Sequence, residues 1–410
     1  MLTARAAAVL TGATLLWLGS RVVGSAEIHI VAVGLLALLV LAVLVMRSLP
    51  RDLRATRRIS TPRAFPGARV RVDVDVENRG GLRTSLVLLE DRLPASLGPP
   101  ARAVLPSVPA QGSERFSYHV TCRTRGRHVI GPLSASISDP FDLVRRQLRF
   151  TERHELVVYP EVEDLDRALV PAPPGGRGDS RSRQLFRTGE DFYTMRAYEV
   201  GDDLRRIHWP SVARTGELMI RQEQAARPAV IALFVDTRRR GLAATPEAFE
   251  RGVSAAASVG ELYVRSGYGV RLATSETPPR TLARPELLEA LAVLDPTRGH
   301  ALSPGLERLR VFASGGSTLV VVTHVPDAAE TATLVRSGAG FPKRIAVLVH
   351  PRDRAALSPN ERSATAERAE GVRISLARSG WDVVTVEPSE RLAGRWTTWR
   401  SRAARTGASS

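Results

Sequence analysis

The residue groupings with the clearest chemical potential are Asp236-Thr237-Arg238-Arg239-Arg240 and Thr323-His324. Each ends an aliphatic run, the first beginning at Val230 and the second at Thr318. Carboxylate and hydroxyl oxygens are the hard ligands that Mg²⁺ takes, but a guanidinium beside a cation is strongly unfavourable. No metal and no other cofactor is therefore expected at Asp236, Thr237, Arg238, Arg240, Thr323 and His324. Arg238 and Arg240 suggest instead a charged rim for an anion or acidic partner. The plainer alternative is ordinary surface arginines beside a loop-capping Asp236.

A second constellation lies between Thr188 and Arg214: Arg196, Tyr198, Gly201, Asp202, Asp203, Arg205, Trp209 and Arg214. Arginine and carboxylate at this density allow either a ligand site or a buried ion-pair lattice that docks the segment. His208, next to Trp209, reads as a packed histidine. There is no Gly-x-Ser-x-Gly, no His-Glu-x-x-His and no Walker sequence, so no catalytic residue is assigned. A metal-dependent hydrolase using Asp236, Asp202 and Asp203 is an alternative that requires bound Mg²⁺ or Mn²⁺.

The elements that must position these residues follow from periodicity. From Ala229 onward, apolar strands alternate with helices: strands at Val230–Val235, Gly269–Thr274, Thr318–Thr323, Arg344–His350 and Asp382–Val386, helices at Glu247–Ser266, Pro285–Leu294, Ala328–Ser337 and Arg362–Ser379. That order predicts a doubly wound α/β domain over 229–400, with ligands at the carboxyl ends of the strands, near Asp236 and Thr323. Residues 401–410 are expected to be a disordered tail. Over 60–158 the period is two. Val70, Val72, Val74 and Val76 alternate with Arg71, Asp73, Asp75 and Glu77, and Gly- and Pro-bearing turns separate short strands, so an antiparallel β-sandwich of Ig-like type is expected. Residues 159–228 join the two as linker and signature segment, with a Pro- and Gly-rich run at 171–178.

Residues 1–48 predict a transmembrane helical hairpin. Ile28 to Met46 is apolar apart from His29, and Ala6 to Val23 is a weaker span, so membrane lipid is the expected partner of residues 6–46. Arg47, Arg51, Arg54, Arg57 and Arg58 follow the second span, against Arg21 in the loop. The positive-inside rule places the N-terminus and the soluble domains in the cytoplasm, at a cell inner membrane. These arginines are also candidates for contact with anionic headgroups.

The formal charge of +16 comes almost wholly from arginine, Lys343 being the one lysine, and it is spread along the chain. Nucleic acid is therefore not the expected partner, although arginine-mediated binding of nucleic acid or anionic lipid stays as an alternative. Cys122 is the single cysteine, so no intrachain disulfide forms. The aromatic content of 5% within 43% hydrophobic residues implies aliphatic cores.

Gly189-x-x-Phe192, Arg196-Ala197-Tyr198, Gly201-Asp202-Asp203-Leu204-Arg205-Arg206-Ile207, Trp209 and Ala213-Arg214 together resemble the signature of the domain-of-unknown-function 58 (DUF58) family. His208 stands where Asp is usual and Pro210 where Lys is usual. Arg125-Gly126-Arg127, Gly131-Pro132 and Ser138-Asp139-Pro140-Phe141 are similar to the β-domain that often precedes it, with Asp142 in place of a usual Gly. The resemblance implies a von Willebrand factor A-like C-terminal domain. In such domains Asp-x-Ser-x-Ser and later Thr and Asp residues bind a cation, so the motif at Asp236 is a degenerate copy. It also implies a scaffold or adaptor for protein partners, including a MoxR-type AAA+ ATPase, in envelope-related assembly, with no established catalysis.

Overall fold

The computed structural model describes residues 2–48, 53–166, 170, 193–198, 207, 209–223, 229–299, 301–313 and 317–407. The chain divides into two compact units: residues 1–161 with 288–294, and residues 162–287 with 295–410.

The first unit opens with two apolar helices, α1 (Ala4–Val23) and α2 (Ala26–Ser48), each long enough to cross a ~30 Å hydrocarbon core. Thr3 caps α1, its hydroxyl accepting from the Ala6 amide. Gly24 ends α1 in the left-handed conformation (φ 74°) that a tight helix–helix turn needs. The chain then enters β1 (Leu53–Ile59), earlier than the start near Ser60 that alternation suggested. Arg57 and Arg58 are strand residues. Arg57 is buried, which corrects its reading as a juxtamembrane charge free to meet headgroups. Its guanidinium donates to both oxygens of buried Asp91 (2.9 and 2.6 Å), and Tyr118 Oη donates to Asp91 at 2.6 Å. Burial and the adjacent Asp91 charge push the Tyr118 phenol well above its ordinary range.

The other strands are β2 (Arg63–Ala64), β3 (Arg69–Asn78), β4 (Val87–Asp91), β5 (Ala101–Leu105), β6 (Ser113–Thr121), β7 (Gly126–Ile130), β8 (Leu133–Ser138), β9 (Arg145–Phe150) and β10 (His154–Val158). They form sheets of order β1-β3-β6, β2-β10-β7 and β5-β4-β8-β9. All pairings are antiparallel except the two-residue parallel contact of β2 with β10. Val70, Val72, Val74 and Val76 are all buried, as a period of two requires. Leu53 lies opposite Asn78, and Val87 opposite Ile137. The loops at 79–86 and 139–144 therefore share the end of this unit at which β1 begins.

Part of the signature region is a hairpin of β11 (Tyr193–Ala197) with β12 (Met219–Glu223), and α3 (Trp209–Thr215) lies between them in sequence. The second unit's main sheet holds β13 (Val230–Val235), β14 (Gly269–Thr274), β15 (Arg280–Leu282), β16 (Thr318–His324), β17 (Lys343–Val349) and β18 (Asp382–Val386). The strand order is β15-β14-β13-β16-β17-β18, parallel except for β15. Its helices are α4 (Pro246–Arg265), α6 (Ser303–Arg310), α7 (Ala328–Gly338), α8 (Pro359–Arg378) and α9 (Leu392–Gly407), while α5 (Arg284–Ala292) runs from the second unit into residues of the first. The short edge strand β15 and helices α6 and α9 go beyond the sequence expectation. Helix α9 continues past residue 400, where a disordered tail was expected, and its Trp396 is fully buried. The expected linker also extends into this unit. Buried Glu163 accepts from Arg251 Nη1 (2.7 Å) and the Ala393 amide (2.9 Å), and its own amide donates to Ser258 Oγ (2.9 Å).

Candidate functional site

Chain order across the sheet reverses at β13, whose neighbours β14 and β16 come from opposite halves of the domain. At such a switch point the connections leave in opposite directions and open a crevice at the strands' carboxyl ends. Asp236 directly follows β13, Ser275 follows β14, and Thr323 and His324 end β16. A continuous aliphatic strand ending in Asp puts that carboxylate at the rim of the sheet. The parallel register brings the three ends together.

Asp236 is fully buried and both of its oxygens are engaged. Oδ1 accepts from the Arg238 amide (3.1 Å), Arg238 Nε (2.9 Å) and Ser275 Oγ (3.3 Å). Oδ2 accepts from Arg238 Nη2 (3.0 Å) and Thr323 Oγ1 (2.8 Å), with His324 Nδ1 at 3.5 Å. Glu330, from the first turn of α7, completes the cluster: Oε1 lies 2.8 Å from Arg238 Nη2 and Oε2 lies 3.1 Å from His324 Nε2. Two carboxylates thus alternate with two cationic side chains.

The protonation states follow from this arrangement. Burial alone would raise the Asp236 carboxyl, but hydrogen bonds from His324, Arg238 and Thr323 outweigh it and hold the group well below the usual range. Burial alone would also lower His324, yet its contacts with Asp236 and Glu330 raise it to about 9. Glu330 settles at about 2, its burial outweighed by His324 and Arg238. At neutral pH the cluster is fully ionised and internally neutral.

The loop is built to hold this state. The Arg239 amide donates to Thr297 O (2.9 Å) and the Thr297 amide to Thr237 O (2.6 Å), fastening both sides of Arg238. Gly241 is required by close approach, since a Cβ there would press on the Asp236 carboxylate and come within 3.1 Å of Arg238 Nη2.

These residues do not fit a divalent cation. The Arg238 guanidinium fills the space between Asp236 and Glu330 that an ion would need, and placing both there would set like charges in contact. The charged-rim expectation is corrected for Arg238, which is 2% exposed and turned inward onto Asp236. The attraction of a buried carboxylate two residues away exceeds that of solvent. Arg239 and Arg240 are exposed. Sequence reading missed Ser275, Gly241 and Glu330. The signal for Glu330 was present in Asp327-x-x-Glu330, a capping box at the start of α7.

The signature residues fare differently. Gly201, Asp202, Asp203, Arg205 and His208 lie outside the described residues, and Arg196 is described only as part of β11. Tyr198 donates its amide to Leu218 O at 2.8 Å. Trp209 is 65% exposed and Arg214 is exposed, so these two are not part of a buried lattice. Among the described residues, no group of three or more His, Cys, Asp or Glu side chains could hold a metal ion.

Residues 194–372 match the family model described as "Protein of unknown function DUF58". The "Uncharacterized protein YeaD" of Bacillus subtilis (strain 168) is 24% identical over 233 residues, 55% of this chain and 56% of that protein. The chain thus spans about half the length of this curated relative. Among solved structures, the CARDB domain of a Pyrococcus furiosus protein in complex with di-metal ions is 13% identical, with a TM-score of 0.21, over 26% of this chain and 87% of that one. The C-terminal domain of wzt is 10% identical, also with a TM-score of 0.21, over 27% and 75%.

Proposed function

Taking residues 194–372 as a DUF58 region, we propose that this chain is a membrane-anchored scaffold whose von Willebrand A-like domain binds protein partners without a metal ion. The observation that carries the reading is the Arg238 guanidinium seated between Asp236 and Glu330 at the sheet's switch point. A von Willebrand A domain presents an ion at this end. Here the ion's place is filled by the chain's own side chain, and at this site both carboxylates, Asp236 and Glu330, are engaged by cationic partners. The strand order, with one short antiparallel edge strand, supports the same domain assignment.

The anchor is the α1–α2 hairpin. The Thr3 amide donates to Leu143 O (3.0 Å), which holds the N-terminus against the sandwich. Two spans return the chain to the side on which it started, so this contact agrees with a hairpin, and the arginines at 47, 51 and 54 favour the cytoplasmic side. The proposed partner is a MoxR-type AAA+ ATPase, in envelope-related assembly.

Purification of the full chain from native membranes, with and without ATP, tests this. An AAA+ ATPase in the eluate whose amount changes with ATP is the expected result. Its absence under mild detergent removes the ATPase from the reading. Hydrolytic turnover by the purified chain in the presence of Mn²⁺ would overturn the scaffold assignment itself.

A further inference from the structure

In the first unit, the sandwich end from which the hairpin departs carries several large exposed hydrophobics. Leu82 (57% exposed) and Leu86 lie in the loop at 79–86, Phe141 (56%) in the loop at 139–144, and Leu2 (59%) just before α1. Isolated exposed leucines mean little, because more than half of any protein surface is apolar. Four at one end, beside the ends of two membrane-length helices, call for an explanation.

Phe141 is held outward by a closed set of hydrogen bonds. Buried Asp139 accepts from the Phe141 amide (3.0 Å) and the Val144 amide (2.6 Å). Asp142 takes a left-handed backbone (φ 54°), a conformation that Asp adopts more readily than most residues other than Gly. The Thr3 hydroxyl donates to Asp142 O (2.6 Å), fixing the start of α1 on the same loop. The neighbouring loop is joined to it by Ser85 Oγ donating to Ser138 O (2.8 Å). Arginines border the apolar tips. Arg145 pairs with Asp142 at 2.9 Å, Arg5 lies 3.7 Å from the same carboxylate, and Arg83 is exposed beside Leu82.

Only residues 49–52 separate α2 from β1. Five Cα-to-Cα steps reach ~18 Å at most, which keeps this end close to any bilayer that α2 crosses. We propose that this end of the sandwich is seated in the headgroup layer of an anionic bilayer. Phe141, Leu82 and Leu86 enter the boundary with the acyl chains, and Arg5, Arg83 and Arg145 face lipid phosphodiesters. The signature-like Ser138-Asp139-Pro140-Phe141 segment is then a membrane-surface loop. The occupant is lipid because the patch is continuous with the ends of the helices that would span it. The inference rests on the membrane-anchored reading.

The experiment uses the full chain with Cys122→Ser, reconstituted in vesicles of phosphatidylcholine and phosphatidylglycerol. An environment-sensitive fluorophore is placed singly at Leu82→Cys, Phe141→Cys, Ala95→Cys and Leu15→Cys. Ala95 lies in the turn after β4, at the opposite end of the sandwich, and Leu15 is an exposed mid-α1 position. Probes at 82 and 141 are expected to be quenched several-fold more by brominated acyl chains than the probe at 95, and shielded from aqueous iodide. Quenching at 15 with 82 and 141 as open to iodide as 95 overturns this inference and leaves the anchor intact. No lipid quenching at 15 overturns the anchored reading, and this inference with it. None of the four probe positions is buried, and the buried Cys122→Ser change is common to all four proteins, so differences among the probes report their positions.

Discussion

Arg238 shows how one side chain converts a degenerate motif into a closed structure. A guanidinium offers five donors in a planar fork, enough to satisfy Asp236 on one edge and Glu330 on the other. Lysine would supply the charge without the fork. Replacing Arg238 by Met leaves two carboxylates facing each other in a buried site, and breaking such a pair costs ~3–5 kcal/mol. Chemical denaturation of Arg238→Met should show a loss of that order. Arg238→Ser should open a space lined by Asp236, Ser275, Thr323 and Glu330 that takes Mn²⁺, measured by calorimetry. A wild-type chain that binds Mn²⁺ through Asp236 would refute the placement of Arg238. The pH dependence follows from His324, whose pKa rises from 6.5 unfolded to about 9 folded. A raised value means that the stabilisation is complete below pH 6.5 and is lost as pH climbs through 9. The amount is on the order of 2–3 kcal/mol, since a tenfold change in proton affinity corresponds to ~1.4 kcal/mol and the ring is partly solvated. Thermal unfolding of the wild type should weaken across that window, and His324→Gln should flatten the slope.

Among the elements, those that position the site are held by close approaches that alternation cannot reveal. Gly305, in the first turn of α6, is one. A Cβ there would sit 2.7 Å from Thr274 O and press on the Phe234 ring, at the ends of β14 and β13. Gly305→Ala is expected to destabilise the unit by ~1–3 kcal/mol, an overpacking cost readable by urea titration, despite alanine's better helix propensity. An unchanged midpoint would mean that α6 can retreat from the sheet. Strongly periodic elements are legible in the sequence: β13, β14 and β18 fall at their expected bounds, and α4, α7 and α8 lie within a few residues of theirs. Several of the elements that escape it are short. β15 has three residues, β2 has two, and α6 has eight, all too short for a periodic signal to emerge. β1 escapes because its arginines mimic a juxtamembrane basic cluster.

For the molecule as a whole, the hairpin and the sandwich constrain each other. On the proposed two-span reading, the Thr3–Leu143 contact puts the chain's first residues and the sandwich on one side of the bilayer. Epitope tags at the N-terminus and after residue 410 should therefore both be protected from protease in intact spheroplasts and cleaved after permeabilisation. Protection of only one would exclude the two-span arrangement. The net charge of +16 takes a more limited role than its size suggests. Arg57, Arg238 and Arg251 are consumed in internal pairs with Asp91, Asp236 and Glu163, and many others pair at the surface, where each contributes little.

What the sequence alone determined was the succession of apolar hairpin, period-two strands and alternating α/β segments, together with the family resemblance. Those features are written in local periodicity and in residue type at fixed spacing. It also made Asp236 and Thr323 neighbours at strand ends, because parallel order dictates where carboxyl ends meet. Tertiary structure decided which way each charge faces. Arg238 and Arg240 are equivalent in sequence, yet Arg238 lies beneath the surface on a carboxylate and Arg240 stands in solvent. Glu330 joined the site only because α7 starts beside β16. Burial and pairing depend on residues nearly a hundred positions apart, and that information exists only once the sheet has brought them together.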